Sequence, residues 1–348
     1  MQVITQKVQE IVEIINGKLI NAPAIGGFCG YCTRLEDIKR GSLFFATNPS
    51  DIDAALVRGA FGIVFDKFLQ TQIHDEEIAW IRVESMQDAI IRLTRYELLA
   101  RGIKMLALNP TQYLIAKSLI RAKSVLFFDD SPMELLDALE ETHPEVIITK
   151  SPQVLELALE STPCTTPEIL PFTLAESSMF EIKFYYKLHA FHIPLPSVFV
   201  PELAAVVELC ICEGIVCDFS HFEPIPALMP ISLTQDARIL SFGSSARVII
   251  PTNDTEIFLR YANFLHDEVK WAKIVVFMPR LLDEQPQQMI SQALENSALE
   301  PLYYDSSNEL PALLKKTDYN FGLVFGISTQ GLVFVLSQMP QEHVPTLF

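Results

Sequence analysis

The chain has 348 residues, a length that suits two or three domains. Hydrophobic residues make up 49% of it and charged residues 20%, which is enough apolar material for substantial cores and not the composition of a disordered chain. Its net charge of −17 argues against a nucleic-acid partner, since such binding needs a dense basic footprint.

The first element predicted is an amphipathic helix over residues 6–16, followed by a short strand and turn in "GKLINAP". Acidic residues inside that helix separate it from a signal peptide, and charge or proline breaks the later apolar runs before the ~20 residues a membrane span requires. The expectation is a cytoplasmic, soluble protein with no membrane span. "GSLFFAT" then reads as a strand (Leu43–Ala46), "DIDAALVRGA" as a helix, and "GIVFDK" and "IAWIRV" as two more strands. "SMQDAIIRLTRYELLARG" is a helix with both ends signalled, with Ser85 as N-cap, Asp88 three residues on and Gly102 as the stop.

"KMLALNPTQYLIAKSL" (104–119) has the order strand, polar turn, helix that proteins use to hold phosphates. It lies in a positive island. Residues 98–128 hold Arg101, Lys104, Lys117, Arg121 and Lys123 and no acid, although eight basic against seventeen acidic residues make 101–232 the most acidic third. "SVLFFDD" is a further strand, and its Asp129-Asp130 end reads as a helix approach before it reads as a metal pocket. Ser131 as N-cap, Pro132 at the first helical position and Glu134 three residues on spell a capping box. "EVIITK" is the next strand, and "STPCTTPEILP" a proline-marked loop.

"MFEIKFYYKLHAFHIPLP" alternates like antiparallel strands, and "ELAAVVELCICEGI" makes a buried helix. A boundary and a hairpin follow in residues 225–254. The last third predicts helix 254–266, strand "KIVVFM", helix 284–297, strand "PLYYD", helix 308–316, strand "GLVFG" and helix 329–337, a Rossmann-like unit. His189, His192 and His221 are scattered over strand and loop and read as ordinary side chains. The "CGYC" run (Cys29, Cys32) has redox or zinc-knuckle spacing, but no second CxxC completes a zinc site. These two cysteines, with Cys164, Cys210, Cys212 and Cys217, are expected to be structural thiols.

Thr33-Arg34, "RGSLFFA" (40–46) and "LVRGAFGIVFDK" (56–67) occur in the order and spacing of a known N-terminal domain, and here the chain resembles the Mur ligases. Within that family it is most similar to the branch that adds D-alanyl-D-alanine to the UDP-muramyl tripeptide. The resemblance implies an α/β protein of three domains: a UDP-binding-like domain at 1–100, a reduced central P-loop-like domain at 101–232, and a Rossmann-like domain at 233–348. In the family the first domain holds the UDP end of the substrate. The candidate binding residues implied are therefore Thr33, Arg34, Lys39, Phe45 and Asn48, although Cys32 stands where the family has Asp.

The same resemblance places "LARGIKMLALNPTQYLIAK" at the family's ATP phosphate loop. Such a loop needs glycines for positive φ and close backbone approach, a Lys for the β and γ phosphates and a Ser or Thr for Mg²⁺. Asn109, Pro110, Thr111, Gln112 and Tyr113 supply no glycine, and Pro110 removes a donor. Leu114 or Ile115 takes the lysine position, and Lys117 lies two or three residues further on. No carboxylate stands around Ile147-Ile148-Thr149, where the family has a metal-binding Glu. Ser197, Val198 and Pro201 replace its His and Asn residues, its Gly-Arg pair is missing near 230–232, and Phe325 replaces a late Lys.

The expectation is a catalytically silent Mur-ligase-like protein with no catalytic or metal-binding residues and no cofactor. Its partner would be a UDP-muramyl-peptide-like ligand or a cell-wall enzyme. The alternative is an active ATP- and Mg-dependent amide ligase with an atypical nucleotide site.

Overall fold

A computed structural model describes residues 6–66, 75–240, 247–282, 284–297 and 299–338. The chain divides into two compact units, Met1–Thr165 with Leu209–Cys217, and Thr166–Glu208 with Asp218–Phe348.

The first unit is built on two mainly parallel sheets. In the first, the strands run in the order Lys18–Leu19, Ala79–Val83, Gly62–Asp66, Ser42–Phe45, Gly30–Cys32, all parallel except Lys18–Leu19. Period-two alternation sends Leu43, Phe45, Val64 and Ile81 to one face, where they pack with Val8, Ile11, Phe28, Ile90 and Leu93. It sends Phe44, Ile63, Phe65 and Trp80 to the other face, against Ile52 and Ala55. Both faces are covered, which is why these strands read as continuous apolar runs. Gly62 permits the close packing here, because a Cβ would come within 2.5 Å of the Phe28 ring and 2.7 Å of Leu43.

The helix Met86–Ala100 begins as predicted, with the Ser85 hydroxyl accepting from Asp88 N at 3.3 Å. It stops where predicted, with Gly102 at φ +64 and Ile103 N bonded to Leu98 O at 3.0 Å. The N-terminal helix is shorter than its periodicity suggests. It covers Val8–Ile14, because Gln6–Lys7 pairs with Gly27–Phe28 as a two-residue antiparallel ladder.

The second sheet has the order Thr162–Pro163, Lys104–Ala107, Val146–Thr149, Val125–Phe127, all parallel. Leu98, Met105, Phe128, Leu135, Leu139, Ile147 and Val154 form the core beside it. Its first crossover is the helix Pro110–Leu119.

In the second unit, Thr173–Ser177, Ile182–Tyr186 and His189–Ile193 form the expected antiparallel sheet. Their second turn puts Lys187 at φ +47 and Leu188 at φ +67, a left-handed pair built without glycine. The other sheet has the order Ile231–Leu233, Arg247–Thr252, Phe321–Phe325, Ile274–Pro279, Pro301–Tyr304, parallel after its antiparallel first pair. That pair is the predicted hairpin, and residues 241–246 between its strands lie outside the described residues. Helices Thr255–Glu268, Glu284–Ser297 and Thr329–Ser337 fall at the predicted places, and Leu310–Lys316 is preceded by a 3₁₀ turn at Ser307–Glu309. Among the described residues no helix is long and apolar enough to cross a membrane.

Candidate functional site

Three parallel strands of the second sheet point their carboxyl ends at one small region, the place where open α/β sheets bind ligands. Asn109 follows Lys104–Ala107, Asp129 follows Val125–Phe127, and Lys150 follows Val146–Thr149.

The turn at Asn109 closes on itself. Asn109 Oδ1 accepts from Gln112 N at 2.8 Å, and Gln112 Oε1 accepts from Asn109 N at 3.0 Å. This reciprocal capping box is complete, and Gln112 Nε2 goes on to donate to Cys164 O at 3.1 Å. A helix start leaves four N–H groups without intrahelical acceptors. Here Pro110 has none to offer, Asn109 and Gln112 satisfy each other's, and only that of the buried Thr111 remains.

Tyr113 turns inward, 2% exposed, with its ring edge-on to Phe127 at 5.5 Å. Its hydroxyl donates to Asp129 Oδ1 at 3.3 Å, and Lys150 Nζ lies 3.0 Å from Asp129 Oδ2 and 5.2 Å from the Tyr113 ring centroid. Burial first, and then the Asp129 charge, push the Tyr113 hydroxyl well above its usual value, so it stays a donor. Asp129 is thus matched by a lysine cation and a phenol. Among the described residues no group of three or more His, Cys, Asp or Glu is disposed to hold a metal ion.

The helix approach after Asp130 differs from expectation. Ser131 Oγ accepts from Met133 N at 3.4 Å rather than from Glu134, whose N–H goes to Ser131 O at 2.9 Å. The capping box does not form because Pro132–Glu134 is a 3₁₀ turn, and the α-helix starts only at Leu135.

The basic island does not converge on the turn. Arg101 is tied to Glu97 at 2.7 Å and also to Glu140, and Lys104 pairs with Glu213 at 2.7 Å. Lys117 sits in the last turn of the Pro110–Leu119 helix, and Arg121 and Lys123 lie just beyond it. They are at the far end of a helix roughly 15 Å long.

The N-terminal candidates lie along the first sheet. Thr33 N donates to Asp137 Oδ1 at 2.8 Å, and its hydroxyl donates to Asp137 Oδ2. Burial pushes the Asp137 carboxyl up, while the two bonds from Thr33 act in the other direction. Arg34 Nε reaches Asp37 at 2.6 Å, on the surface. Lys39 N donates to Ser42 Oγ at 3.1 Å, and Asn48 Nδ2 to Asp51 at 3.3 Å. Phe45 is fully buried in the sheet core. Thr33, Arg34, Lys39 and Asn48 thus lie near the surface of one sheet, with Phe45 beneath it.

The sequence reading missed Asp137 and Lys150. Asp137 carried a signal, being a carboxylate inside the apolar stripe of Leu135, Leu136 and Leu139. Cys29 is exposed and Cys32 is buried, and no disulfide joins them. Burial, with Asp137 beside it, pushes the Cys32 thiol up to about 12, and its Sγ donates to Leu43 O at 3.8 Å. His192 pairs with Glu181 and His221 with Asp218, both at the surface.

No protein-family model matches the chain, and no curated protein matches it. Solved structures do. MurF from Acinetobacter baumannii superposes with a TM-score of 0.52 at 11% identity, covering 97% of this chain and 99% of that one. MurF ligase from Thermotoga maritima, solved in complex with ADP, superposes with a TM-score of 0.50 at 11% identity, covering 89% and 96%. At such low identity the likeness is one of architecture, and the fold of this chain is that of the Mur ligases.

Proposed function

We propose that this is a catalytically silent Mur-ligase-like protein that acts by binding. Its ligand would be a UDP-linked cell-wall precursor or a partner protein in peptidoglycan synthesis, in the cytoplasm. The observation that carries this reading is the reciprocal cap of Asn109 and Gln112. A triphosphate is held by several unused backbone N–H groups, a lysine and a metal-binding hydroxyl. Apart from that of the buried Thr111, this turn has spent its N–H groups on its own side chains, and Tyr113 and Lys150 already complement Asp129. These residues do not fit ATP and Mg²⁺.

The N-terminal sheet supports the binding half of the reading. Among the described residues, Arg34 is held only by a surface ion pair with Asp37, which is worth little in water. Its guanidinium can exchange that carboxylate for a diphosphate with bidentate geometry. Thr33 is held more firmly, because Asp137 beneath it is buried.

The test is calorimetric titration of the full chain with Mg-ATP and, separately, with a UDP-muramyl peptide. A ligand present well above its Kd adds a few kcal/mol of stability. The expected result is no response to Mg-ATP. Heat and stabilisation with the UDP-linked ligand would identify the precursor as the ligand, and silence toward both would leave the partner protein. ATP binding with phosphate release would overturn the proposal in favour of an active amide ligase.

A further inference from the structure

A cluster of thiols lies beside the Pro110–Leu119 helix. In the first unit the thiols of Cys164, Cys210 and Cys217 are close enough to interact, and the Cys210 and Cys217 side chains share a hydrogen bond. The backbone explains the approach. The helix Val200–Glu213 ends with Gly214 at φ +70, and Ile215 N returns to Cys210 O at 2.8 Å, which reverses the chain. Two residues on, Cys217 forms an antiparallel bridge with Ile120, just past the end of the Pro110–Leu119 helix. The reversal lays Cys217 back against the last turn of the helix it has left. Cys210 is 1% exposed, whereas Cys217 is only half-buried, so the pair has one concealed and one reachable sulfur. The three thiols are not disposed to hold a metal ion.

We propose that Cys210 and Cys217 form a reversible disulfide, a redox clasp that ties the end of the Val200–Glu213 helix to the bridge at Ile120. The oxidant is a peroxide. Cys217, the reachable thiol, gives up its proton and attacks as its thiolate; the O–O bond breaks, and one oxygen stays on sulfur as a sulfenic acid while the other leaves as hydroxide and takes that proton to become water. The Cys210 sulfur then attacks the Cys217 sulfur, and an S–S bond replaces the S–O bond. The Cys210 proton departs with the hydroxide as a second water. Two thiols are oxidised and one hydrogen peroxide is reduced. The hydrogen bond with Cys217 first, and then burial, disfavour the Cys210 thiolate, which suits the resolving role and not the first attack. A dithiol reverses the clasp by exchange.

The full chain is treated with hydrogen peroxide, remaining thiols are alkylated, and the protein is cleaved after glutamate without reduction. Cleavage after Glu208, Glu213 and Glu223 puts Cys210 and Cys217 on different peptides, so a disulfide shows as a joined pair lighter by two hydrogens. The expected result is a joined pair in wild type and in Cys212→Ser, its absence in Cys217→Ser, and its reversal by dithiothreitol. Because Cys210 is buried and its replacement risks the fold, the wild-type and Cys212→Ser maps carry the test. Linkage of Cys217 to Cys164 or Cys212, over-oxidation of Cys217 to a sulfinic acid without linkage, or the absence of any linkage would overturn the proposal.

Discussion

Asn109 and Gln112 cap each other, side chain to main chain in both directions, at 2.8 and 3.0 Å. The strand-turn-helix around them has the outline of a phosphate loop, but its first helical turn is closed by its own side chains and leaves only the buried Thr111 N–H. Asn109→Ala removes the acceptor for Gln112 N and should cost ~1 kcal/mol of stability. Urea denaturation measures this, and Mg-ATP should leave the midpoints of both proteins unmoved. A nucleotide-induced shift in either one would contradict a closed turn.

Arg34 offers a separation of binding from stability. Its ion pair with Asp37 is exposed, so Arg34→Ala should change stability by about 0.5 kcal/mol or less. If the guanidinium receives a diphosphate, the same change removes a charge-assisted pair and weakens a UDP-linked ligand about tenfold or more. Paired calorimetric titrations of wild type and variant read both numbers.

Asp137 makes a pH prediction with a definite sign. Burial raises its carboxyl above the usual 3.8, so in the window just above that value the folded chain holds the proton that the unfolded chain has released. Stability from this group is therefore greatest below 3.8 and falls as pH rises through the raised value. Asp137→Asn keeps an acceptor for Thr33 N and removes the titration. The difference in urea midpoint between wild type and variant should shift with pH in the variant's favour on going upward through that window.

Arg260 stands between Glu202, which is buried, and Glu256, at 2.9 Å on its own helix. Among the described residues the second oxygen of Glu202 has no hydrogen-bond partner, so the guanidinium is what compensates this buried side chain. Arg260→Met should destabilise the fold by about 3 kcal/mol or more, because a buried charge is left uncompensated. The double variant Glu202→Met, Arg260→Met should recover most of that loss. Failure of the second change to rescue the first in denaturation curves would show that the pair is not coupled.

Much of the architecture was legible in the residues themselves. Ser85 and Gly102 marked both ends of a helix, and the alternation from 254 to 337 marked the strands and helices of the last sheet. A cap or a hydrophobic period is set within a few residues, so local order reveals it. The missing glycines of 109–113 were equally plain, because positive φ and close approach belong to single positions. Ser131 shows the limit of such reading. Its capping box has the right letters, but the chain takes a 3₁₀ turn there and the hydroxyl finds Met133 instead. What only the tertiary structure decided are the long-range partners. Asp137 lies beneath Thr33 across 104 residues, Lys150 lies against Asp129 and Tyr113, and the basic island is scattered along a helix and onto Glu97, Glu140 and Glu213. Strand order and helix direction set those meetings. A one-dimensional charge count carries neither, and so a positive stretch of sequence became no positive site.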